Sequence, residues 1–257
     1  MAADMARALQ HRQLIWVLAR NELLRGTHLT ILGPLWLIVQ PLLWMLAMFF
    51  LVRPALPSQD INYQLYIAIG IILFSSVQTF IIAGSRVFVG EKERILNAAL
   101  PISVYVFKNA TRVALEMAVM SPLIAIAMIF FPPHFGPAML LAIPGLAVFF
   151  VFGIGVTLTL GTLSSRFADI IYLSQAIMRV MLFVTPVFWI PDIADGARLL
   201  AATVNPLHHI LLIIRDPLMG KVPALVHYQI ALGTAFLALT AGIVLFARFR
   251  GRIPVWL

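Results

Sequence analysis

The sequence predicts an all-α integral membrane protein: six spanning helices in a single domain of residues 1–257. Three observations predict it. Mean hydropathy is +1.00, and 62% of residues are hydrophobic against 11% charged. An average soluble domain is roughly 25% charged, so this chain cannot cover a water-facing surface. Apolar runs of about 20 residues, the length that crosses a bilayer, recur six times. Basic residues gather at the ends of those runs, which is the membrane-orientation signal. The net charge of +8 therefore reports topology rather than nucleic-acid binding. Cysteine is absent, which excludes disulfides and thiolate chemistry, and no cleavable leader, fixed-period repeat or low-complexity tract is expected.

Residues 1–31 precede the first apolar run. Trp16 and the flanking arginines favour the headgroup zone, so this segment is expected to lie at the membrane surface. The six spans are expected at residues 32–52, 63–84, 104–131, 138–164, 170–190 and 226–247, followed by a tail of residues 248–257. Pro34 and Pro41 should bend the start of the first span. Pro132 and Pro133 end the third, because proline cannot continue the hydrogen-bond ladder. Gly153, Thr157, Gly161 and Ser165 form a small-residue stripe on the fourth that permits close helix packing. The 191–225 connection holds an apolar stretch at residues 210–214 that is too short to span; it could re-enter the membrane or lie on it.

Six spans put both termini on one side. That side holds twelve basic residues: Arg7, Arg12, Arg20, Arg25, Arg86, Lys92, Arg94, Lys108, Arg166, Arg248, Arg250 and Arg252. The other holds four, Arg53, Arg198, Arg215 and Lys221. The bias places both termini in the cytoplasm.

Few residues invite chemistry. The phosphate-binding pattern G-x-x-x-x-G-K-[ST] is absent, because Val222 follows Gly220-Lys221, so any driving nucleotide binds another chain. His208-His209 lacks a third ligand at helical spacing, and interfacial histidines are the expectation. Ser75-Ser76 and Ser164-Ser165 have no base nearby in sequence. No catalytic and no metal residue is assigned.

Charges within spans carry more weight, since they are costly there and mark function. Lys108, Arg112 and Glu116 form one stripe at i, i+4, i+8. Arg179 lies about 15 Å into the fifth span, near mid-bilayer, on one face with Tyr172 and Gln175. This face is expected to line a polar path or gate, or else to hold helices together through a Glu116–Arg179 or Glu116–Arg112 pair. Trp36, Trp44 and their aromatic neighbours would either line such a path, where sugar rings stack on π surfaces, or form an interfacial belt.

One polar island remains. Glu91-Lys92-Glu93-Arg94 is a run of alternating charge in a cytoplasmic connection, followed by Ile95, Leu96, Leu100 and then Pro101. Alternating charges with an apolar anchor can fix register against a polar partner; a solvated loop is the other reading.

Four stretches carry a resemblance. They are RNELLRGTHLTILGPLWLIVQP (residues 20–41), ERILNAALPISVYV (93–106), FVTPVFWIP (183–191) and NPLHHILLIIRDPLMG (205–220). In this order and at this length the chain resembles the membrane subunit of ABC-2 type exporters, in the branch that exports O-antigen, capsule and teichoic-acid polysaccharides. Thr27-His28 departs from the Lys/Arg-Tyr of many members. The resemblance implies an amphipathic N-terminal helix, short outward or re-entrant helices before the sixth span, and a homodimer in the bacterial inner membrane. It also implies a separate ABC ATPase subunit carrying ATP and magnesium, with no cofactor in this chain. A coupling helix at residues 91–100 would dock on that ATPase. Arg20, Arg112 and Arg179 would be candidates for contacting pyrophosphate or acidic sugars of a lipid-linked glycan. An exporter of a drug or small lipid, a membrane-embedded acyl- or glycosyltransferase, and a passive channel remain as alternatives.

Overall fold

The computed structural model describes residues 2–25, 30–52, 62–97, 100–191 and 196–257. Arg53, Thr27, His28 and the Ala98-Ala99 step lie outside them. Two short helices, α1 (Ala2–Gln10) and α2 (Arg12–Arg25), precede the first long one. The chain then forms α3 (Trp36–Val52), α4 (Tyr63–Ser85), the short α5 (Lys92–Asn97), α6 (Ser103–Phe130) and α7 (Ala142–Ser164). It ends with α8 (Asp169–Val184), α9 (Ala197–Val204), α10 (Pro206–Leu218), α11 (Leu225–Phe249) and α12 (Ile253–Trp256).

Among the described residues, five helical stretches are long and apolar enough to cross a membrane, namely those built on α3, α4, α6, α7 and α11. The α4 helix is the axis, and most of its side chains are buried. Around it pack α6, α7, α8, α3 and α10. Thr157 of α7 ties the layers together. Its hydroxyl accepts from Asn109 Nδ2 of α6 at 3.0 Å and donates to the Phe80 carbonyl of α4 at 3.4 Å.

The small-residue stripe of α7 faces α4. A Cβ on Gly153 would lie 2.5 Å from the Phe80 ring. A second close approach was not legible beforehand: a Cβ on Gly155 would lie 2.4 Å from the Leu239 backbone nitrogen of α11. Backbone cannot yield as a side-chain tip does. Gly155→Val is therefore expected to force α7 and α11 apart and cost about 3 kcal/mol, read as a lower thermal midpoint in detergent, with Gly233→Val in open space as the mild comparison.

Three spans begin or end differently from expectation. Pro34 sits in a 3-10 turn over Gly33–Leu35, so the α-helix proper starts at Trp36 rather than residue 32. The fourth begins with a 3-10 turn over Pro137–Leu141. The fifth, expected to run to residue 190, stops at Val184. Thr185 is extended (ψ 135°), as the residue before a proline prefers. At 16 residues α8 is about 24 Å long, shorter than the hydrocarbon thickness of about 30 Å.

The chain after α8 is nonetheless buried. Tyr63 donates to the Phe188 carbonyl at 2.7 Å, and Tyr66 lies 3.0 Å from the Pro186 carbonyl and 2.9 Å from that of Trp189. Arg215 Nη1 donates to the Pro186 carbonyl at 2.7 Å. Irregular backbone survives at membrane depth only where protein groups satisfy it, and these side chains do so.

The α9–α10 pair bends by 82° at Asn205, whose Oδ1 caps α10 by accepting from the Leu207 amide at 2.9 Å. Beyond that bend α10 is almost wholly buried, packing on α4, α7 and α11. The apolar stretch at residues 210–214 thus turns back into the bundle instead of lying on its surface.

Candidate functional site

At the end of the bundle that carries both termini, α1 and α2 lie across the start of α6. Asp4 caps that start: its carboxylate accepts from the Ser103 hydroxyl at 2.7 Å and from the Ser103 amide at 3.3 Å, and an acidic group is favoured at a helix N-terminus. Ile15 and Ala19 of α2, four apart and both buried, seat the next helix. Their spacing brings Glu22 over the Lys108–Arg112 edge of α6.

The result is an ion cluster joining three elements. Lys108 Nζ lies 2.5 Å from Glu22 Oε2 and 2.9 Å from Glu91 Oε1. Arg112 Nη1 lies 2.8 Å from Glu22 Oε1, and Arg94 reaches Glu91 at 2.5 Å. The Lys108 side chain is only 4% exposed, so its charge is held between two carboxylates in a site with little water. Burial would raise the Glu22 carboxyl, but the charges and hydrogen bonds of Lys108 and Arg112 outweigh it and hold it below its ordinary 4.5. A carboxyl lowered in the fold stabilises fully above that value and loses its contribution as pH falls through the lowered one. Stability of the wild-type chain should therefore drop on acidification below about pH 4.5. Glu22→Gln should remove that part of the pH dependence, as read from thermal midpoints at stepped pH.

The cluster forms one wall of a cavity of about 820 Å³ walled by α3, α4, α6, the end of α8 and the connection after α4. Arg25 and Arg86 also line its charged end. Farther along, the Thr79 hydroxyl lies 3.1 and 3.2 Å from the two Glu116 carboxylate oxygens. At the far end Trp44 stacks on Phe188, with centroids 5.7 Å apart and planes 19° apart. The cavity thus grades from cations and carboxylates, through hydroxyl and amide groups, to aromatic rings.

Of the residues singled out in the sequence, Glu91, Lys108, Arg112, Glu116 and Trp44 line this cavity. Others do not. Arg20 is exposed on α2, and Trp36 is exposed at the start of α3. Tyr172 and Arg179 face outward from α8, and Gln175 is half-buried with its amide nitrogen unpartnered. The Glu116–Arg179 pair does not form: Glu116 turns to Thr79, and the ion partner of Arg112 is Glu22. Arg179 is exposed on α8 and does not line the cavity, although Leu182 one turn on does.

The charge run of residues 91–94 divides. Glu91 is buried and bound inward to Lys108, because a 3-10 turn over Val89–Glu91 precedes α5 and points that side chain back at α6. Lys92, Glu93 and Leu96 are exposed, and Arg94, though exposed, is bonded to Glu91. Ile95 packs inward against the cluster of Phe88, Tyr105, Phe246 and Ile253. The helix ends at Asn97, so Leu100, half-buried, lies beyond it. The expected anchor of Ile95, Leu96 and Leu100 therefore does not form one face: Leu96 alone is presented outward.

The histidines also correct the expectation. His208 and His209 are buried rather than interfacial, and His227 of α11 joins them. His209 Nδ1 lies 2.8 Å from His227 Nδ1, and its Nε2 lies 2.9 Å from the Thr203 carbonyl. Among the described residues no such group has metal-holding geometry.

Glu22, Thr79, Arg25 and Arg86 were not singled out in advance. Glu22 alone had a signal: it is one of only two acids before the first span, close in sequence to four arginines.

A multi-pass helical bundle with a polar-to-aromatic cavity along its spans, tied to a short polar helix at one end, is the architecture of a membrane permease. Residues 13–219 match the ABC-2 type transporter family, and the chain belongs to it. Two relatives are similar over 93% of this chain and 93% of their own length, at 23% and 22% identity. Both are the O-antigen export system permease protein RfbA of Klebsiella pneumoniae.

Proposed function

We propose that this chain is the permease subunit of an ATP-driven exporter that moves a lipid-linked polysaccharide across the bacterial inner membrane. The observation that carries the reading is a cavity whose charged end is built by the N-terminal helix, the α5 connection and α6 together. A ligand there would feel any movement of α5. ATP and magnesium belong to a separate ATPase subunit, and both termini face it in the cytoplasm, in keeping with the twelve-to-four bias of basic residues.

Lys92, Glu93 and Leu96 offer the exposed surface of α5 to that ATPase. Closure of the ATPase pair would push α5. Glu91, fixed to Lys108, would pass the push to α6 and, through Glu22, to α2. The cationic rim of Arg25, Arg86 and Arg112 suits a pyrophosphate, since guanidinium pairs with phosphate in fork geometry. Trp44 and Phe188 offer flat faces to sugar rings. No bond is made or broken in this chain.

Two copies support each other in this scheme. The α3 helix is exposed along most of its length, and α8 exposes Arg179 beside Tyr172. A guanidinium turned toward hydrocarbon is costly. A second copy, with a water-filled pathway between the two, would cover both helices and give Arg179 a polar setting.

The test is purification of the tagged chain in mild detergent from its native host. A stoichiometric soluble ATPase should accompany it and be lost in Lys92→Ser/Glu93→Ser/Leu96→Ser, three exposed positions. A chain that purifies alone, and is unchanged by that variant, would contradict the docking assignment. Transport of long glycan but not of single lipids in a reconstituted assay separates this reading from a drug or small-lipid exporter.

A further inference from the structure

The connection between α7 and α8, the end of α11 and α12 converge at one corner of the bundle end that carries the termini. Arg166 packs its guanidinium 5.2 Å from the Phe167 centroid and 5.6 Å from that of Trp256. Arg248 lies 5.9 Å over Phe249, and the Phe249 and Trp256 rings are 5.5 Å apart. Arg250 and Arg252 stand in the short connection between α11 and α12, which brings four arginines to these elements. The chain is not free to swing away here. Ile253 is fully buried among Val87, Phe88, Tyr105 and Phe246, which pins α12 directly beneath the end of α11.

Two features make this corner unusual. First, the arginines have no carboxylate partners among the described residues. Residues 225–257 contain no Asp or Glu. The adjoining elements carry Asp4, Glu91, Glu93 and Asp169, and no ion pair among the described residues joins any of them to these arginines. Second, bulky apolar groups sit among the charges in the open: Phe167 is 53% and Val255 83% exposed. The corner lies where the span built on α11 ends, at Phe249, and where the shorter α8 begins, at Asp169. The end of a span reaches headgroup depth, where arginine and aromatic rings are favoured together.

We infer that this corner is a binding site for anionic phospholipid headgroups. The four guanidiniums take the phosphate, Phe167 and Val255 enter the acyl boundary, and Trp256 holds Arg166 in place by stacking. Charge complementarity selects the lipid. Four unpaired cations beside a bilayer attract anionic headgroups and have no preference for zwitterionic ones. The inference depends only on the chain being embedded in a membrane, not on what it transports.

Native mass spectrometry of the full chain in detergent, titrated with phosphatidylglycerol or phosphatidylcholine, tests it. The wild type should retain phosphatidylglycerol in preference. Arg166→Gln/Arg248→Gln/Arg250→Gln/Arg252→Gln should lose that preference, with affinity falling about fivefold per arginine removed. The same four positions as lysine should keep most of it, and Trp256→Ala should weaken it. If the fourfold glutamine variant does not fold, the Arg250→Gln/Arg252→Gln pair shows the same loss at smaller amplitude. Equal retention of the two lipids by the wild type, or unchanged retention of phosphatidylglycerol by a folded glutamine variant, overturns the proposal. Unchanged lipid retention together with loss of a co-purifying acidic protein would assign the corner to that protein instead.

Discussion

Lys108→Met should be the most damaging single change at the charged end of the cavity. The side chain is almost fully buried and, among the described residues, is the one cation touching both Glu22 and Glu91. Removing it leaves Glu22 with Arg112 and Glu91 with Arg94, both at the edge of the cluster, while two carboxylates face the vacated space. Breaking a buried pair from one side costs about 3–5 kcal/mol, because the charges left behind have lost their solvent and their partner. Lys108→Arg keeps the charge in a larger head and should cost less. The triple variant Glu22→Gln/Glu91→Gln/Lys108→Met removes the carboxylates that face the vacated space; it leaves Arg112 and Arg94 without ion partners, but both are partly exposed, so it should recover part of the stability. Unfolding midpoints measure this directly. Under the proposed function, the triple variant should also separate stability from coupling: it should fold and bind the ATPase yet fail to export, because the link between α5, α6 and α2 is gone. Normal export by a folded triple variant would mean that the cluster only holds the fold.

Arg215→Met should be comparably severe at the other end. This arginine is 1% exposed. Its guanidinium lies 3.9 Å from the Tyr66 ring centroid, donates to the Pro186 carbonyl at 2.7 Å, and is 4.0 Å from Asp216 at its closest. It is the pin between α10, α4 and the irregular segment after α8. A methionine would fill similar volume but leave the Pro186 carbonyl with only the Tyr66 hydroxyl. Loss of a desolvated cation–π contact of about 2 kcal/mol and of a charge-assisted hydrogen bond of about 1.5–3 kcal/mol predicts a drop of about 3 kcal/mol, since the arginine no longer has to be desolvated. A lysine in its place offers one ammonium and no planar fork, so Arg215→Lys should recover only part. Thermal midpoint and yield in detergent read the effect. A wild-type midpoint for Arg215→Met would show that the segment at residues 185–190 is held by its tyrosines alone.

The spans were legible because their signal is local. An apolar run of sufficient length must cross or be buried, and α4, α6, α7 and α11 fall close to where the runs lie. The short polar helix was legible for the same reason, as a charged island in an apolar chain. What escaped was set by pairing at a distance. Glu22 and Lys108 are brought together by α2 seating on α6, and no periodicity links them. Glu91 reads as one of four equivalent charges until a 3-10 turn aims it inward. The end of α8 is a local effect of Pro186 that composition concealed, since residues 185–190 are as apolar as the helix before them. Burial of α10 was hidden by its polar residues: His208, His209 and Arg215 resemble loop residues until His227, Tyr66 and the Pro186 carbonyl supply their partners. Arg179 was placed on the correct helix, but its face depends on how α8 packs, which its spacing with Tyr172 and Gln175 leaves open.

Reconstitution tests the central claim most directly. Proteoliposomes holding this chain with its co-purified ATPase are loaded with lipid-linked glycan on the ATPase side, and the glycan accessible to a glycosidase on the opposite side is measured with and without ATP. The account predicts ATP-dependent appearance of glycan, abolished by Lys92→Ser/Glu93→Ser/Leu96→Ser and by the folded triple variant of the ion cluster. Glycan that appears equally without ATP, or not at all with an ATPase that docks and hydrolyses normally, would contradict it.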